Sequence, residues 1–223
     1  MIWLLGLAAV SAEAAEPPNV GEVWSEIGVE ARVADDLKVQ GAQNFRLGTG
    51  EGGIAEILTD LGATYRITKK ADFGVAYRFG RKTEGDDPYE FSHRLVADGK
   101  FELEPSKWLE LDQRLRYQVR LPAAGKAMRH VVRARVRAGF DTDTKIEPRL
   151  AAEIFLNLGD NDGEGDGIGV PKARFDAGIR YGRKHWDFDI GYRLEEPIRD
   201  RTDARLHVLY VGLSTEVDLR KDD

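Results

Sequence analysis

The chain contains no cysteine. That absence excludes a disulfide framework and any thiolate metal site. Beyond the first fifteen residues no window approaches 18 consecutive apolar residues, which excludes a transmembrane helix. A basic stripe is also missing: lysine and arginine are scattered along the sequence and the net charge is −6. Nucleic acid is therefore not an expected partner. Only four histidines occur, His93, His130, His185 and His207, and none has HExxH or comparable ligand spacing. No cofactor is expected, and His130 and His185, which flank strands, read as interfacial or solvated.

What is present begins with a short apolar stretch, Met1 to Val10, followed by Ser11-Ala-Glu-Ala-Ala15. Small residues in that position match a signal-peptidase site, although the stretch lacks the usual lysine or arginine at its start. We read residues 1–15 as a secretory signal and residues 16–223 as one domain, a length that suits a single all-β barrel.

The segment Leu109 to Leu121 reads LELDQRLRYQVRL. Every odd position except Gln113 is apolar or aromatic, and every even one is polar or charged, which is the period of a strand. The pattern recurs over residues 22–33, 37–47, 54–67, 71–82, 91–103, 108–121, 130–141, 146–158, 172–183, 186–196 and 204–219. Each run is long enough to cross a bilayer as a tilted strand of about 9–11 residues. Tight turns at 34–36, 68–70, 104–107, 142–145 and 184–185 alternate with longer Gly-, Asp- and Pro-rich loops at 48–53, 83–90, 122–129, 159–171 and 197–203. Short turns on one rim and long loops on the other are the habit of outer-membrane barrels. With the first connection short, strand one runs toward the short-turn rim. Bacterial single-chain barrels have even strand numbers, so ten or twelve strands are expected, with one run split, lost, or hidden near Pro17–Gly21. The fold expected is an antiparallel up-and-down transmembrane β-barrel of 10–12 strands.

Sorting each strand by parity yields one face that is nearly free of charge and another that is densely charged. Aromatic residues of the apolar face, Tyr65, Phe73, Phe101, Trp108, Phe140 and Trp186, gather beside the short turns, as an interfacial girdle does. Lysines cluster at the same rim (Lys38, Lys69, Lys70, Lys107, Lys145, Lys184), whereas the charged face of the strands uses arginine, with Lys100 almost the only exception. Arginine suits confined ion pairs with several hydrogen bonds. Only helices or closed barrels satisfy the backbone in lipid. These three points turn the apolar face toward lipid and enclose the charges.

The profile resembles the small outer-membrane β-barrels of Gram-negative bacteria. More narrowly, Trp24-Ser-Glu-Ile-Gly-Val-Glu30, with echoes at Phe73-Gly-Val-Ala-Tyr-Arg78, Ser92-His-Arg-Leu95 and Ile190-Gly-Tyr-Arg193, resembles a barrel family known only as a domain of unknown function. That resemblance implies fold and outer-membrane location and supplies no catalytic residues. The ending, Val217 to Asp223, lacks the terminal aromatic that barrel-assembly machinery usually reads.

Three chemistries are candidates. Arg114, Arg116, Arg120, Arg133, Arg135 and Arg137 on strands six and seven stand nearly opposite Glu26, Glu30, Glu56 and Asp60 on strands one and three. If the centre is wet, these walls orient dipolar or small anionic solutes, as charged pore rings do. If it is dry, the same charges pair across the middle and plug the barrel. An eight-stranded barrel is filled by side chains and a sixteen-stranded one holds a channel; 10–12 strands fall between. The function expected is a structural barrel or narrow solute channel, with membrane lipid and the assembly machinery as partners. An alternative is a membrane-embedded lipid hydrolase with Ser25 as nucleophile, His207 as base and Glu196 orienting it; a second is a soluble periplasmic carrier with an apolar cavity. The loop from Asp160 through Asp162 to Asp166 opens like a calcium loop, but Pro171 stands at the twelfth position where a bidentate Glu is needed. It reads as a flexible acidic loop with at most weak divalent affinity.

Overall fold

The structure, a computed structural model, describes residues 18–48, 53–84, 87–121, 128–160, 168–199 and 204–220. The expected signal, residues 1–15, lies outside them. Eleven strands follow in order: β1 Asn19–Ala34, β2 Leu37–Gly48, β3 Gly53–Thr68, β4 Ala71–Glu84, β5 Asp87–Ser106, β6 Leu109–Leu121, β7 Arg129–Phe140, β8 Ile146–Asp160, β9 Lys172–Arg183, β10 Trp186–Pro197 and β11 Arg205–Asp218. Each pairs with its sequence neighbours in antiparallel fashion, and β1 pairs with β11 to close a barrel. Turn chemistry seats the short connections. Lys184 takes a positive φ of 53° in the two-residue link before Trp186, and Asp143 (φ 55°) is held by its own amide donating to Asp141 Oδ1 at 3.0 Å.

The expectation of an even strand number is overturned. With eleven strands connected up and down, the first and last run in the same direction, so closure must be parallel. The ladder registers Asn19 with Arg205 at one rim through to Arg32 with Asp218 at the other. Residues 19–21 extend β1 instead of forming a further strand. Parallel pairing is slightly weaker per residue than antiparallel pairing, and side chains clasp this seam at both ends. At the turn rim Arg220 Nη1 lies 2.7 Å from Asp35 Oδ1, and Arg32 and Lys38 each lie 3.3 Å from Glu216. At the loop rim Asn19 Oδ1 lies 3.0 Å from His207 Nε2.

One expected long loop is also absent. The Gly-, Asp- and Pro-rich stretch 83–90 is mostly strand: Lys82 registers with Glu90 and Glu84 with Asp87, leaving only residues 85–86 between β4 and β5. The opposite charges of Lys82 and Glu90, which face each other across the ladder, favour its extension over the breaker composition.

Parity sorts the faces as in any barrel wall. Leu61, Leu115 and Val136 point outward and are more than half exposed, whereas Glu153, Asp112, Asp98 and Glu195 point inward and are buried. Fully buried apolar side chains are scarce, Leu58 and Val208 being the largest. Ionic pairs occupy the place of a hydrophobic core.

The outer wall carries two aromatic belts, of which only the lower had been expected. Near the turns Trp108 stacks on Phe140, with centroids 6.3 Å apart. Near the loops the same pair occurs three times, a tyrosine hydroxyl bonded to the Nδ1 of a histidine on the next strand: Tyr77 with His93, Tyr117 with His130, and Tyr192 with His207. From Trp108 to Tyr117 the chain spans about 30 Å of strand.

Candidate functional site

The lumen holds a cavity of about 970 Å³ whose lining is dominated by arginine. Along β8–β10 every inward arginine meets a carboxylate. Arg149 lies 2.7 Å from Glu147 and 3.2 Å from Asp189. Arg174 bridges Glu153, at 3.1 Å, and Glu195, which also takes Lys172. Arg180 pairs with Asp187 and Arg193 with Asp176. Most of these pairs join neighbouring strands, so the charges neutralise one another along the wall and the centre stays open.

The wall formed by β5–β7 differs. Three of its arginines are well held: Arg116 grips Asp98 with two bonds of 2.6 Å, Arg133 bonds Glu153 at 2.6 and 3.1 Å, and Arg137 donates to Asp112 at 2.7 Å. Yet the register sets Arg94 opposite Arg120, Arg116 opposite Arg133, and Arg114 opposite Arg135. Like charges directly opposed on a ladder destabilise it. Arg94 reaches Glu56 only at 3.7 Å and Arg135 reaches Asp112 only at 3.6 Å. The Nε atoms of Arg94, Arg114 and Arg135 and the Nε2 of Gln118 are buried without a hydrogen-bond partner.

Arg114, Arg116, Arg120, Arg133, Arg135 and Arg137 all line the cavity, and the ring order places β6 and β7 across from β1. The acids read as the facing wall are largely occupied by nearby cations. Glu30 accepts from Lys38 at 2.5 Å, Glu56 from Arg46 at 2.6 Å, and Asp60 from Arg78 at 2.5 and 2.7 Å. Glu26 lines the cavity beside Trp24 and Asn44.

Trp24 is the lumen residue that sequence reading missed. Parity, the signal available for it, puts Trp24, Gly28 and Glu30 of the WSEIGVE segment on the inner face. The indole Nε1 donates to Glu22 Oε2 at 2.5 Å, and the guanidinium carbons of Arg46 and Arg193 lie 3.9 and 5.0 Å from the indole ring centroid. Phe155 on β8 likewise sits under Arg133, at 4.6 Å, and Arg174, at 4.9 Å. Each ring face holds guanidinium groups by cation–π attraction.

The hydrolase residues are not assembled. Ser25 registers with Val211 and His207 with Gly21, a displacement of about 13 Å along the strands. His207 is instead part of the seam, bonded to Tyr192 on one side and Asn19 on the other. Glu196 binds Arg205 at 2.6 and 2.8 Å. The interior is charged where a soluble carrier would need an apolar cavity. In the acidic loop, Asp162, Asp166 and the Asp160 side chain lie outside what is described; among the described residues no acidic or histidine cluster could hold a metal.

The family model described as Protein of unknown function (DUF2490) matches residues 21–199. No curated protein matches the chain.

Proposed function

The chain belongs to the DUF2490 family, a kinship that assigns no activity, and from its geometry we propose that the protein is an outer-membrane β-barrel whose charged lumen forms a narrow, water-filled path for small solutes. The observation that carries this reading is the inversion of the usual burial pattern. Leu115 is 60% exposed on the outer wall, whereas Glu153 is 2% exposed inside. An apolar band encircling a molecule is far larger than the patches that soluble proteins leave in water. In lipid the same band is solvated, and closure of the barrel satisfies every backbone group of the wall. At the 35–45° strand tilt of membrane barrels, the strand between the aromatic belts would rise about 23 Å, close to the height of an outer-membrane apolar band, about 25 Å. On this reading membrane lipid surrounds the band, the barrel-assembly machinery inserts it, and the solutes are small and anionic or dipolar.

A plugged lumen would need its charges to pair across the middle. The pairs run along the wall, which supports a wet centre. Fractionation and heat-modifiable gel migration test the location: a folded form in the outer-membrane fraction is expected, and recovery from the soluble periplasm overturns it. Single-channel recording in planar bilayers tests the path. Small discrete conductance is expected, and silence over the full voltage range reduces the function to a structural barrel.

A further inference from the structure

Of the buried donors left without partners, those that line the cavity lie together on one wall. Arg94, Arg114, Gln118, Arg120 and Arg135 all line the cavity. Arg94, Arg114 and Arg135 each bury an Nε, and Gln118, 7% exposed, buries an Nε2, that nothing accepts from. Among the described residues Arg120 forms no ion pair, and it faces Arg94 across the ladder.

Buried donors are nearly always satisfied in proteins, and each orphan calls for an explanation. Packing does not supply one, since an apolar residue or a carboxylate in place of one arginine of each opposed pair would relieve both an orphan donor and the opposed charges. The same barrel does this on β8–β10, where each arginine has its acid. A guanidinium fork matches the oxygens of carboxylate and phosphate and binds them bidentately.

We propose that the β5–β7 wall is a binding site for a small oxyanion with two or more negative charges, a phosphate compound or a polycarboxylate. It has two seats: Arg94, Gln118 and Arg120 form the one nearer the loops, and Arg114 with Arg135 the one nearer the turns. Along β6 the span from Arg114 to Arg120 is about 20 Å, so the seats act in series on a solute moving through the lumen. The proposal rests on the reading of a wet lumen.

The test uses the purified full barrel in detergent, titrated calorimetrically with pyrophosphate and separately with citrate, against sodium chloride of equal ionic strength. Binding of either probe, together with a raised unfolding temperature, is expected; which probe binds tells phosphate from carboxylate recognition. Losing one charge-assisted hydrogen bond weakens binding by about tenfold or more. The double variant Arg94→Gln/Arg120→Gln should therefore bind at least about tenfold more weakly. Arg180→Gln, on the paired wall and outside the cavity lining, should bind as the parent does. Without anion the double variant should unfold at the parent's temperature or above, because it loses two opposed charges. Failure of the parent to bind either probe, or unaltered affinity in the double variant, overturns the site. A double variant that does not fold assigns those arginines to structure and overturns it as well. Conductance separates the two readings: binding without conductance keeps the site and ends the channel, whereas conductance indifferent to both probes keeps the channel and ends the site.

Discussion

Along β8–β10, Arg149, Arg174, Arg180 and Arg193 each lie against a carboxylate, whereas across β5–β7 Arg94 faces Arg120 and Arg114 faces Arg135. The two walls share strand geometry, residue type and burial. They differ in whether arginine also faces arginine across the ladder. On the first wall arginine takes the place of a hydrophobic core, cross-linking adjacent strands. On the second it opposes the ladder and leaves donors free, which is the state in which a binding group is kept. Arginine content alone therefore separates nothing; pairing does.

The comparison breaks most sharply at Glu153, where the walls meet. This carboxylate accepts from Arg133 at 2.6 Å, Arg174 at 3.1 Å and Arg114 at 3.2 Å. Glu153→Gln removes the one charge that three guanidinium groups share. Breaking a buried pair of this kind costs about 3–5 kcal/mol, so the denaturant midpoint should fall steeply or the folded gel form should be lost. An unchanged midpoint would mean that water, and not the carboxylate, solvates those arginines.

The paired wall is also sterically tight. A Cβ built on Gly191 would lie 2.5 Å from the Ala177 carbonyl and 2.5 Å from the Tyr210 hydroxyl; one on Gly178 would meet the Ile190 carbonyl at 2.7 Å. Tyr210 thus lies flat over two glycines on adjacent strands. Gly191→Ala should cost about 1–3 kcal/mol, as overpacking does, with Tyr210→Ala restoring only part of it because the carbonyl remains. Gly99→Ala on the outer face of β5, where nothing lies within 4 Å, should leave the midpoint unchanged. Equal effects at the two glycines would remove the steric half of the contrast.

Much of this architecture was legible in the sequence because a barrel wall has a strict period of two. Parity alone set Leu115 and Arg114 on opposite faces, and the aromatic girdle with the preference for arginine over lysine marked which face was enclosed. Pairing was not legible. Which arginine meets which acid depends on register, and Arg114 reaching Glu153 two strands away leaves no local trace. The closing ladder was misjudged since expectation favoured an even count, while the eleven alternating runs were already in view. The upper belt escaped notice because each Tyr–His pair straddles a connection, Tyr117 and His130 being joined only through residues 118–129.

A smaller effect of opposite sign sharpens the contrast from the other wall. Arg120→Gln relieves an opposed pair and should stabilise the anion-free barrel by up to about 1 kcal/mol, read as a raised midpoint. The same change at Arg174, which holds Glu195 and Glu153, should lower it. If both move in the same direction, the two walls are not electrostatically distinct.

The smallest effect is expected outside the lumen, at the seam. Arg220 donates to Asp218 at 2.5 to 3.1 Å and to Asp35 at 2.7 Å, all in the open at the turn rim. These hydrogen bonds hold the Asp218 carboxyl down at about 2 and push the guanidinium up. Because the folded value lies below the unfolded one, the contribution to stability is present above about pH 4 and fades as pH falls toward 2. Carboxyl carbon NMR titration should show Asp218 depressed in the parent and raised toward the ordinary value of about 3.9 in Arg220→Ala, stopping short of it because the backbone amide of residue 220 still donates to the carboxylate. The unfolding midpoint at neutral pH should scarcely move, since exposed ion pairs contribute little. An Arg220→Ala loss as large as that of Glu153→Gln would show that the parallel seam, and not the paired wall, limits the stability of the barrel.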